Sequence, residues 1–290
     1  MSIKVYEIIT DRILQSLEKG VVPWRMPWHT STPRNLISKK PYRGVNVFLL
    51  GMQRFTSSYF LTYNQAKAKG GQVRKGEKST PVIFWKVGDS KKVDPKTGKV
   101  GKFFILRFYN VFNVTQCDDI KVPVEATATE HEPIAECESI VDGWAGKPPI
   151  VHGGNRACYS PSEDLISMPE RGSFGKVEEY YSTLFHEMVH STGHKDRLAR
   201  EGITNPIKFA SHSYSFEELV AECGAAFLCG NAGIIDHTID NSAAYIANWA
   251  AKLKSEPKWI VDAAGKAAKA SDLILGVKEK EEEVVDEEAA

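Results

Sequence analysis

The sequence has few of the features that mark secreted or membrane proteins. It contains five cysteines, an odd number with no CxxC spacing, which indicates free thiols in a reducing compartment. No uninterrupted apolar run approaches the about 20 residues that a membrane-spanning helix needs. The N-terminus also lacks the charged, apolar and cleavable pattern of a secretory signal. We therefore expect a cytoplasmic protein without disulfides or a membrane segment.

The chain has no net charge, but its two signs of charge are unevenly distributed. Residues 1–120 hold 21 Lys and Arg against 8 Asp and Glu, whereas the remaining residues hold 16 against 29. Such separation predicts a front part that binds a polyanion and a rear part with another role. The alternative is a solvated basic surface that has no partner.

The front part, residues 1–120, is predicted to fold as an α+β domain. Residues 3–18 carry apolar side chains at three- and four-residue steps, which predicts a helix that packs on the core of this domain. Residues 81–87 and 102–114 are rich in β-branched and aromatic residues and are separated by a turn-prone segment, so they predict a β-hairpin.

The rear part is predicted to be a second domain with its own core, which a chain of 290 residues is long enough to form. Residues 121–133 have the Glu, Thr, Ala and Pro content of a linker. Residues 134–277 then show a strand pair within 150–168 and long helical patterns. The last residues, 278–290, are mostly acidic and predict a disordered tail.

An HExxH motif lies in a helical pattern of the second domain. It runs through His186, Glu187, Met188, Val189 and His190. The two histidines are four residues apart, so both imidazoles project from one helix face and can bind one ion, for which zinc is the expected metal. Glu187 lies beside them as the expected general base, an arrangement typical of metal-assisted amide hydrolysis. The alternative is a pair of surface histidines without a ligand.

A catalytic zinc site needs a third protein ligand, and three candidates follow the motif. Asp196 stands where the metzincin pattern places its third ligand, but no methionine follows Met188, so the Met-turn of that class is missing. His194 is too close to His190 to reach the same ion easily. The third candidate is the later helical segment 217–228, which carries several glutamates among small residues.

This later segment resembles the helix that completes the site of thermolysin-like zincins. By that resemblance Glu218 is the third metal ligand and Glu222 orients His186. Ser215 lies three residues before Glu218, so the two could instead form a helix capping box. In that case Glu222 becomes the ligand, because a carboxylate among apolar residues is costly to bury unpaired.

The front domain alternates cations with aromatic rings. Cations neutralise phosphates and exposed rings stack on unpaired bases, so this pattern favours single-stranded nucleic acid over duplex. The alternative is that the rings are mainly core, which holds for one face of any buried strand. The candidate nucleic-acid-binding residues are Lys39, Lys40, Tyr42, Arg43, Arg74, Lys75, Lys78 and Trp85.

Several motifs in one order make the chain similar to ArdC-type antirestriction proteins of conjugative plasmids, whose N-terminal domain is shared with TraC-type primases. The motifs are Val22-Pro23-Trp24-Arg25, Tyr42-Arg43-Gly44-Val45-Asn46, Leu61-Thr62-Tyr63, Arg74-Lys75-Gly76-Glu77-Lys78, the HExxH run with Ser191-Thr192-Gly193-His194, and Glu217-Glu218-Leu219-Val220-Ala221-Glu222. The resemblance covers almost the whole chain apart from the acidic tail.

The resemblance implies a single-stranded DNA-binding domain followed by a zincin-like metallopeptidase domain, which together protect incoming plasmid DNA from host restriction. A subunit of a host restriction enzyme is then a candidate target. Two hypotheses follow: a DNA-recruited zinc peptidase, or a DNA-shielding module whose metal site is structural or not needed. A primase fragment is disfavoured, because no carboxylate cluster suited to two-metal phosphoryl transfer is visible.

Overall fold

The architecture is a mixed α+β fold, as the sequence predicts. The computed structural model describes residues 2–19, 22–23, 32–53, 55–93, 100–123, 133–154, 156–205, 212–234 and 243–277. No helix among these residues combines the length and apolar character that crossing a membrane requires. The elements, in chain order, are α1 (Ser2–Glu18), β1 (Arg34–Asn35), α2 (Val45–Gly51), β2 (Tyr59–Leu61), α3 (Tyr63–Ala68), β3 (Gln72–Val73), β4 (Thr80–Val93), β5 (Val100–Asn113), β6 (Cys117–Asp118), α4 (Pro133–Gly143), β7 (Ile150–His152), β8 (Cys158–Ser160), β9 (Leu165–Met168), α5 (Val177–Ser191), α6 (Glu201–Thr204), α7 (His212–Ala232), α8 (Ala243–Ser255) and α9 (Trp259–Ile274).

The predicted β-hairpin is confirmed and forms half of the front sheet. Strands β4 and β5 pair antiparallel from Thr80 opposite Val111 onwards, and the sheet order is β1-β2-β5-β4. Helix α2 is fixed to this sheet by Asn46, whose side chain accepts from the backbone N–H of Ile83 and donates to its carbonyl, both at 2.8 Å. The turn-prone segment 94–99 lies outside the described residues.

The rear part contains a three-stranded sheet and a layer of helices. The strand order is β7-β9-β8, with β9 parallel to β7 and antiparallel to β8. Helix α5 lies against β8 and β9, and α7 packs between α5 and α9. Ile166 and Met168 of β9 are fully buried on this helical layer. The predicted strand pair within 150–168 is therefore confirmed and extended by a third strand.

Helix α1 packs on strand β5 of the front part, as predicted, and it also packs on the rear helices, so its buried face is not confined to a separate first core. Its apolar face, with Ile9 and Ile13 fully buried, contacts α8 and α9. The hydroxyl of Thr10 donates to the carbonyl of Pro257 at 2.6 Å. An amphipathic pattern shows that a face is buried but does not identify its partners, which explains why the contacts with the rear helices were not predicted.

One continuous apolar core therefore joins the two parts of the chain. Phe48 of α2 stacks on Phe227 of α7, with ring centroids 5.0 Å apart and planes 13° from parallel. Both the front and the rear helices contribute to the same buried cluster. The predicted boundaries at residues 120 and 133 stay predictions, since residues 124–132 and the predicted tail 278–290 lie outside the described residues.

Candidate metal centre and nucleic-acid surface

The two histidines of the HExxH motif face each other on α5. Their Nε2 atoms are 3.0 Å apart, and the ring planes of His186 and His190 meet at 80°. The helix forms here because Tyr181, Phe185 and Met188 recur at helical steps and are fully buried on its opposite face. Burial of that face turns both imidazoles to the other side of the helix.

Glu218 of α7 completes a three-residue group with these imidazoles. Its Oε2 lies 3.5 Å from His186 Nε2, and its Oε1 lies 3.5 Å from His190 Nε2. The helices approach closely because Gly224 of α7 lies against Val189 of α5, where an added Cβ would meet a methyl carbon at 2.7 Å. Close packing of α7 on α5 thus brings a carboxylate from a distant segment to the motif.

The geometry of this group fits a divalent metal ion. The donor atoms of His186, His190 and Glu218 all lie within 4.8 Å of one another. In a tetrahedral site with bonds of about 2.0–2.2 Å, neighbouring ligand atoms are roughly 3.3 Å apart, close to the separations found. Two imidazoles and one carboxylate are also a donor set that zinc and similar ions accept.

Without an ion, the carboxylates around His186 favour its protonated form. Burial lowers the pKa of His186, but the hydrogen bond with Glu218 and the charges of Glu222 and Glu187 outweigh burial and raise this pKa to about 9. The same negative charges attract a cation. Glu187 is itself buried beside the two imidazoles on α5, at the position expected of a general base.

Behind His190 lies a buried ion pair that the sequence did not reveal. Glu217 Oε1 is 3.4 Å from His190 Nδ1, and Arg200 donates to both oxygens of Glu217 at 2.6 and 3.0 Å. Both charged side chains are only 5% exposed. Arg200 also donates to the hydroxyl of Thr192 and to the carbonyl of Val189. Hydrogen bonds from His190 and Arg200 outweigh burial and lower the pKa of Glu217.

The other predicted ligand candidates do not join the group. Glu222 acts on His186 through its charge, and the described donor atoms that converge belong to Glu218 instead. Asp196 is exposed and pairs with Lys195. His194 contacts Asp196 rather than the imidazoles of the motif.

The capping-box interpretation of Glu218 is wrong. Helix α7 begins at His212, so Ser215 lies inside its first turns and is not the residue that caps it. The Ser215 hydroxyl accepts from the ammonium group of Lys252 on α8 at 3.1 Å. Glu218 therefore does not cap this helix, and its carboxylate contacts both imidazoles of the motif.

Three of the predicted nucleic-acid-binding residues, Tyr42, Arg43 and Arg74, contact residues from other parts of the sequence. Tyr42 is only 8% exposed and packs edge-on against Phe60, so its ring is not presented for stacking on a base. This prediction is corrected: Tyr42 is a core residue. Arg43 forms an ion pair with Asp272 of α9. Arg74 forms ion pairs with Glu77 and Asp118.

The remaining candidates are exposed on the front part. Lys39, Lys40, Lys75 and Lys78 are at the surface, and the Lys39 ammonium lies 4.9 Å from the ring centre of Tyr59. Trp85 is 44% exposed. Phe108, which sequence analysis did not select, is 42% exposed on the same face of the hairpin, because Trp85 pairs with Leu106 and Phe108 pairs with Ile83.

The comparisons with known proteins agree with this geometry. Residues 137–266 match the family described as zincin-like metallopeptidase, and residues 3–112 match the N-terminal domain of anti-restriction factor ArdC. Fold and site thus define a zincin-like metallopeptidase domain joined to an ArdC-type N-terminal domain. The chain belongs to the ArdC antirestriction family, as the order of its motifs predicts.

Solved structures and sequenced relatives span most of the chain. The crystal structure of the antirestriction ArdC protein from plasmid R388, metal-free, is 38% identical with a TM-score of 0.73, covering 93% of this chain and 96% of that one. Its Mn(II)-bound structure is 36% identical with a TM-score of 0.72, covering 93% of this chain and 97% of that one. An uncharacterized protein y4eC of Sinorhizobium fredii is 34% identical, over 92% of this chain and 90% of its own length.

A longer relative shares only part of its length with this chain. DNA primase TraC of Escherichia coli is 34% identical over 95% of this chain, but the match covers 27% of the primase. The chain thus corresponds to about a quarter of that protein. The relation with TraC-type primases was predicted for the front domain alone, but the match over 95% of this chain includes the metallopeptidase part as well.

Proposed function

We propose that this protein is a zinc-dependent peptidase that binds single-stranded DNA and protects incoming plasmid DNA from host restriction. The observation that carries the proposal is the convergence of His186, His190 and Glu218 on one point beside the buried Glu187. The proposed target is a protein, such as a subunit of a host restriction enzyme. Binding of the incoming strand would bring the site close to that target.

Each residue of the site has a separate role in the proposed amide hydrolysis. A bound zinc ion would supply Lewis-acid polarisation of the scissile carbonyl. Glu187 accepts a proton from the attacking water, whose oxygen forms a bond to the carbonyl carbon. As the C–N bond breaks, Glu187 returns that proton to the leaving nitrogen. His186 and His190 contribute as neutral imidazoles that hold the ion.

Exposed groups of the front part support the single-strand proposal. Trp85 and Phe108 present rings on one face of the hairpin, where unpaired bases could stack. Lys75 and Lys78 are exposed in the turn before β4 and would neutralise phosphates. Duplex DNA hides its bases and would leave these rings without a partner.

The test replaces Glu187 by Gln, which keeps size and removes the base. The full chain, loaded with zinc and mixed with single-stranded DNA and purified restriction subunits, is analysed for new protein fragments by mass spectrometry. We expect E187Q, at saturating zinc, to lower the cleavage rate by about 10²–10⁴-fold, with zinc affinity reduced by about 10-fold or less because one nearby charge is lost. E178Q, on the same helix but away from the ligands, is the matched control and should cleave normally.

Two results would overturn the peptidase proposal: no cleavage by the wild type, or equal cleavage by E187Q. The exposed rings and cations also suit a second function, that of a module that shields DNA without catalysis. Protection of incoming plasmid DNA in cells separates the two. Full protection by E187Q would favour shielding, whereas its loss together with normal DNA binding would favour catalysis.

A further inference from the structure

Glu217 and Glu218 are adjacent on α7 but have different surroundings. The Glu218 carboxylate is 29% exposed and contacts both imidazoles of the motif. The Glu217 carboxylate is 5% exposed and faces the protein interior, where it meets Arg200 and the Nδ1 atom of His190. One carboxylate thus contacts the metal-side nitrogens, and its neighbour contacts the opposite side of one imidazole.

We propose that Glu217, held by Arg200, is a positioning residue that fixes the tautomer and orientation of His190. This inference rests on the proposed metal site. With Nδ1–H donating to Glu217, the lone pair of His190 lies on Nε2, which faces His186 and Glu218. Arg200 fixes the position of the carboxylate by donating to both of its oxygens.

Arg200 also connects this pair to the end of the motif helix. Its guanidinium donates to the carbonyl of Val189 at 2.7 Å and to the hydroxyl of Thr192 at 2.6 Å. Val189 lies in the last turn of α5, and Thr192 follows the end of the helix and itself donates to the Val189 carbonyl from its backbone N–H and its hydroxyl. A single buried cation therefore fixes the helix end that carries His190 and the carboxylate that orients its ring.

Two glycines make the space for this pair. A Cβ on Gly193 would lie 3.0 Å from Arg200 Nη2 and 2.6 Å from a side-chain carbon of Ile203. A Cβ on Gly202 would lie 2.8 Å from the Cβ of Glu217. The contacts of 2.6 and 2.8 Å are too short for a real Cβ, so a side chain at either position would force its neighbours around the pair to shift.

The experiment must remove the acceptor without leaving a buried charge unpaired. Glu217→Ala alone would leave the buried guanidinium of Arg200 without its carboxylate partner, a change that strongly destabilises a folded protein. We therefore compare two full-length double variants, R200M/E217L and R200M/E217Q, which both lack the ion pair. Leu removes the acceptor for His190 Nδ1, whereas Gln keeps an amide oxygen in its place.

Mn²⁺ alone is the probe, and its affinity is measured by electron paramagnetic resonance of the free ion. We expect R200M/E217L to bind Mn²⁺ about 10–100-fold more weakly than the wild type, and R200M/E217Q to recover much of that loss. A purely structural role predicts equal affinities for the two variants, since both lack the same charges. Equal affinities would overturn the proposal.

The wild type provides an independent test by ¹⁵N NMR of its histidines without metal at high pH. The proposal requires neutral His190 to carry its proton on Nδ1, and a proton on Nε2 would overturn it. This readout stays available if the double variants do not fold. A wild type that binds Mn²⁺ but cleaves no protein would refute the proposed peptidase while leaving the positioning role intact.

Discussion

Gly224 of α7 lies directly against Val189 of α5, so that a Cβ on this glycine would come within 2.7 Å of one Val189 methyl carbon and 2.8 Å of the other. Both groups are in the interior, where neighbours yield little. The contact brings the two ligand-bearing helices together. The distance between α5 and α7 at this contact therefore determines where the Glu218 carboxylate lies relative to the imidazoles.

We predict that Gly224→Ala separates these helices and harms the site. The overpacked methyl should destabilise the protein by about 1–3 kcal/mol and weaken metal binding. Thermal unfolding and Mn²⁺ titration measure the two effects. Gly265→Ala on α9 is the control, because its Cβ would meet no atom within 4 Å and alanine favours a helix. Recovery of both properties in G224A/V189A would show that the methyl contact is the cause, whereas normal binding by G224A would contradict it.

Glu218 and Glu222 are predicted to contribute unequally to metal binding. Glu218→Ala removes a donor and should lower Mn²⁺ affinity by more than about 100-fold. Glu222→Ala removes a negative charge near His186 without removing a donor atom of the group and should cost about 10-fold or less. Isothermal titration of the two variants at equal protein concentration measures the difference. If Glu222→Ala lost more Mn²⁺ affinity than Glu218→Ala, Glu222 would be the metal ligand and Glu218 the neighbouring charge.

The hairpin rings are predicted to bind bases. Trp85→Ala and Phe108→Ala should each weaken binding of a single-stranded oligonucleotide by about 5–150-fold, corresponding to about 1–3 kcal/mol for a lost stacking contact. Fluorescence anisotropy provides the measurement. Leu198→Ala, an exposed apolar residue of the metallopeptidase part, is the control. Unchanged affinity in both ring variants would remove the hairpin face from the binding surface.

Salt should weaken DNA binding in proportion to the number of neutralised phosphates. If about five phosphates are neutralised, the log-log slope of affinity against salt should be about −3.5 for single strands. The double variant K75A/K78A should reduce the steepness of this slope by about 0.7 for each lost contact. Affinity measurements over a salt series give both numbers. A flat dependence would contradict the polyanion interpretation of the basic front part.

Asp164 should stabilise the protein above acidic pH through its pair with Arg197. The guanidinium donates to both carboxylate oxygens at 2.8 Å, which lowers the pKa of Asp164 below its ordinary value. A lowered pKa means that the stabilisation is complete above an unfolded value of about 3.9 and disappears as pH falls through the folded value.

Asp164→Asn is the variant that tests this pair. It suits the left-handed backbone of this turn, where φ is 49°, and it removes the charge together with one of the two oxygens that accept from Arg197. The loss should be about 1 kcal/mol at pH 7, and the difference in melting temperature between variant and wild type should narrow as pH falls below about 3.9. If the difference in melting temperature stays constant from pH 7 to pH 3, the charge of Asp164 is not the source of the stabilisation.

The sequence predicted those features that depend on local spacing. The four-residue step from His186 to His190 fixes both rings on one helix face whatever surrounds them. The β-branched and aromatic content of β4 and β5 likewise predicts the hairpin without knowledge of the rest of the fold. The ligand role of Glu218 followed from a resemblance, and the structure brings its carboxylate to both imidazoles.

Features that depend on tertiary packing were missed. Arg200 lies in a connecting segment, and no periodicity relates it to Glu217, 17 residues later. Arginine side chains are also rarely buried, so the residue type alone indicates a surface position for Arg200. Tyr42 stands among exposed cations in the sequence, but its ring turns to a small core with Phe60.

The stack of Phe48 on Phe227 has a consequence for how such proteins can diverge. The family range 3–112 ends well before the metal-binding motif, yet α1 and α2 inside it cover apolar surface of the rear helices. Recombination that exchanged front parts between two relatives would have to preserve the facing side chains of both partners. The two ranges can be recognised separately in sequence, but their contact surfaces must evolve together.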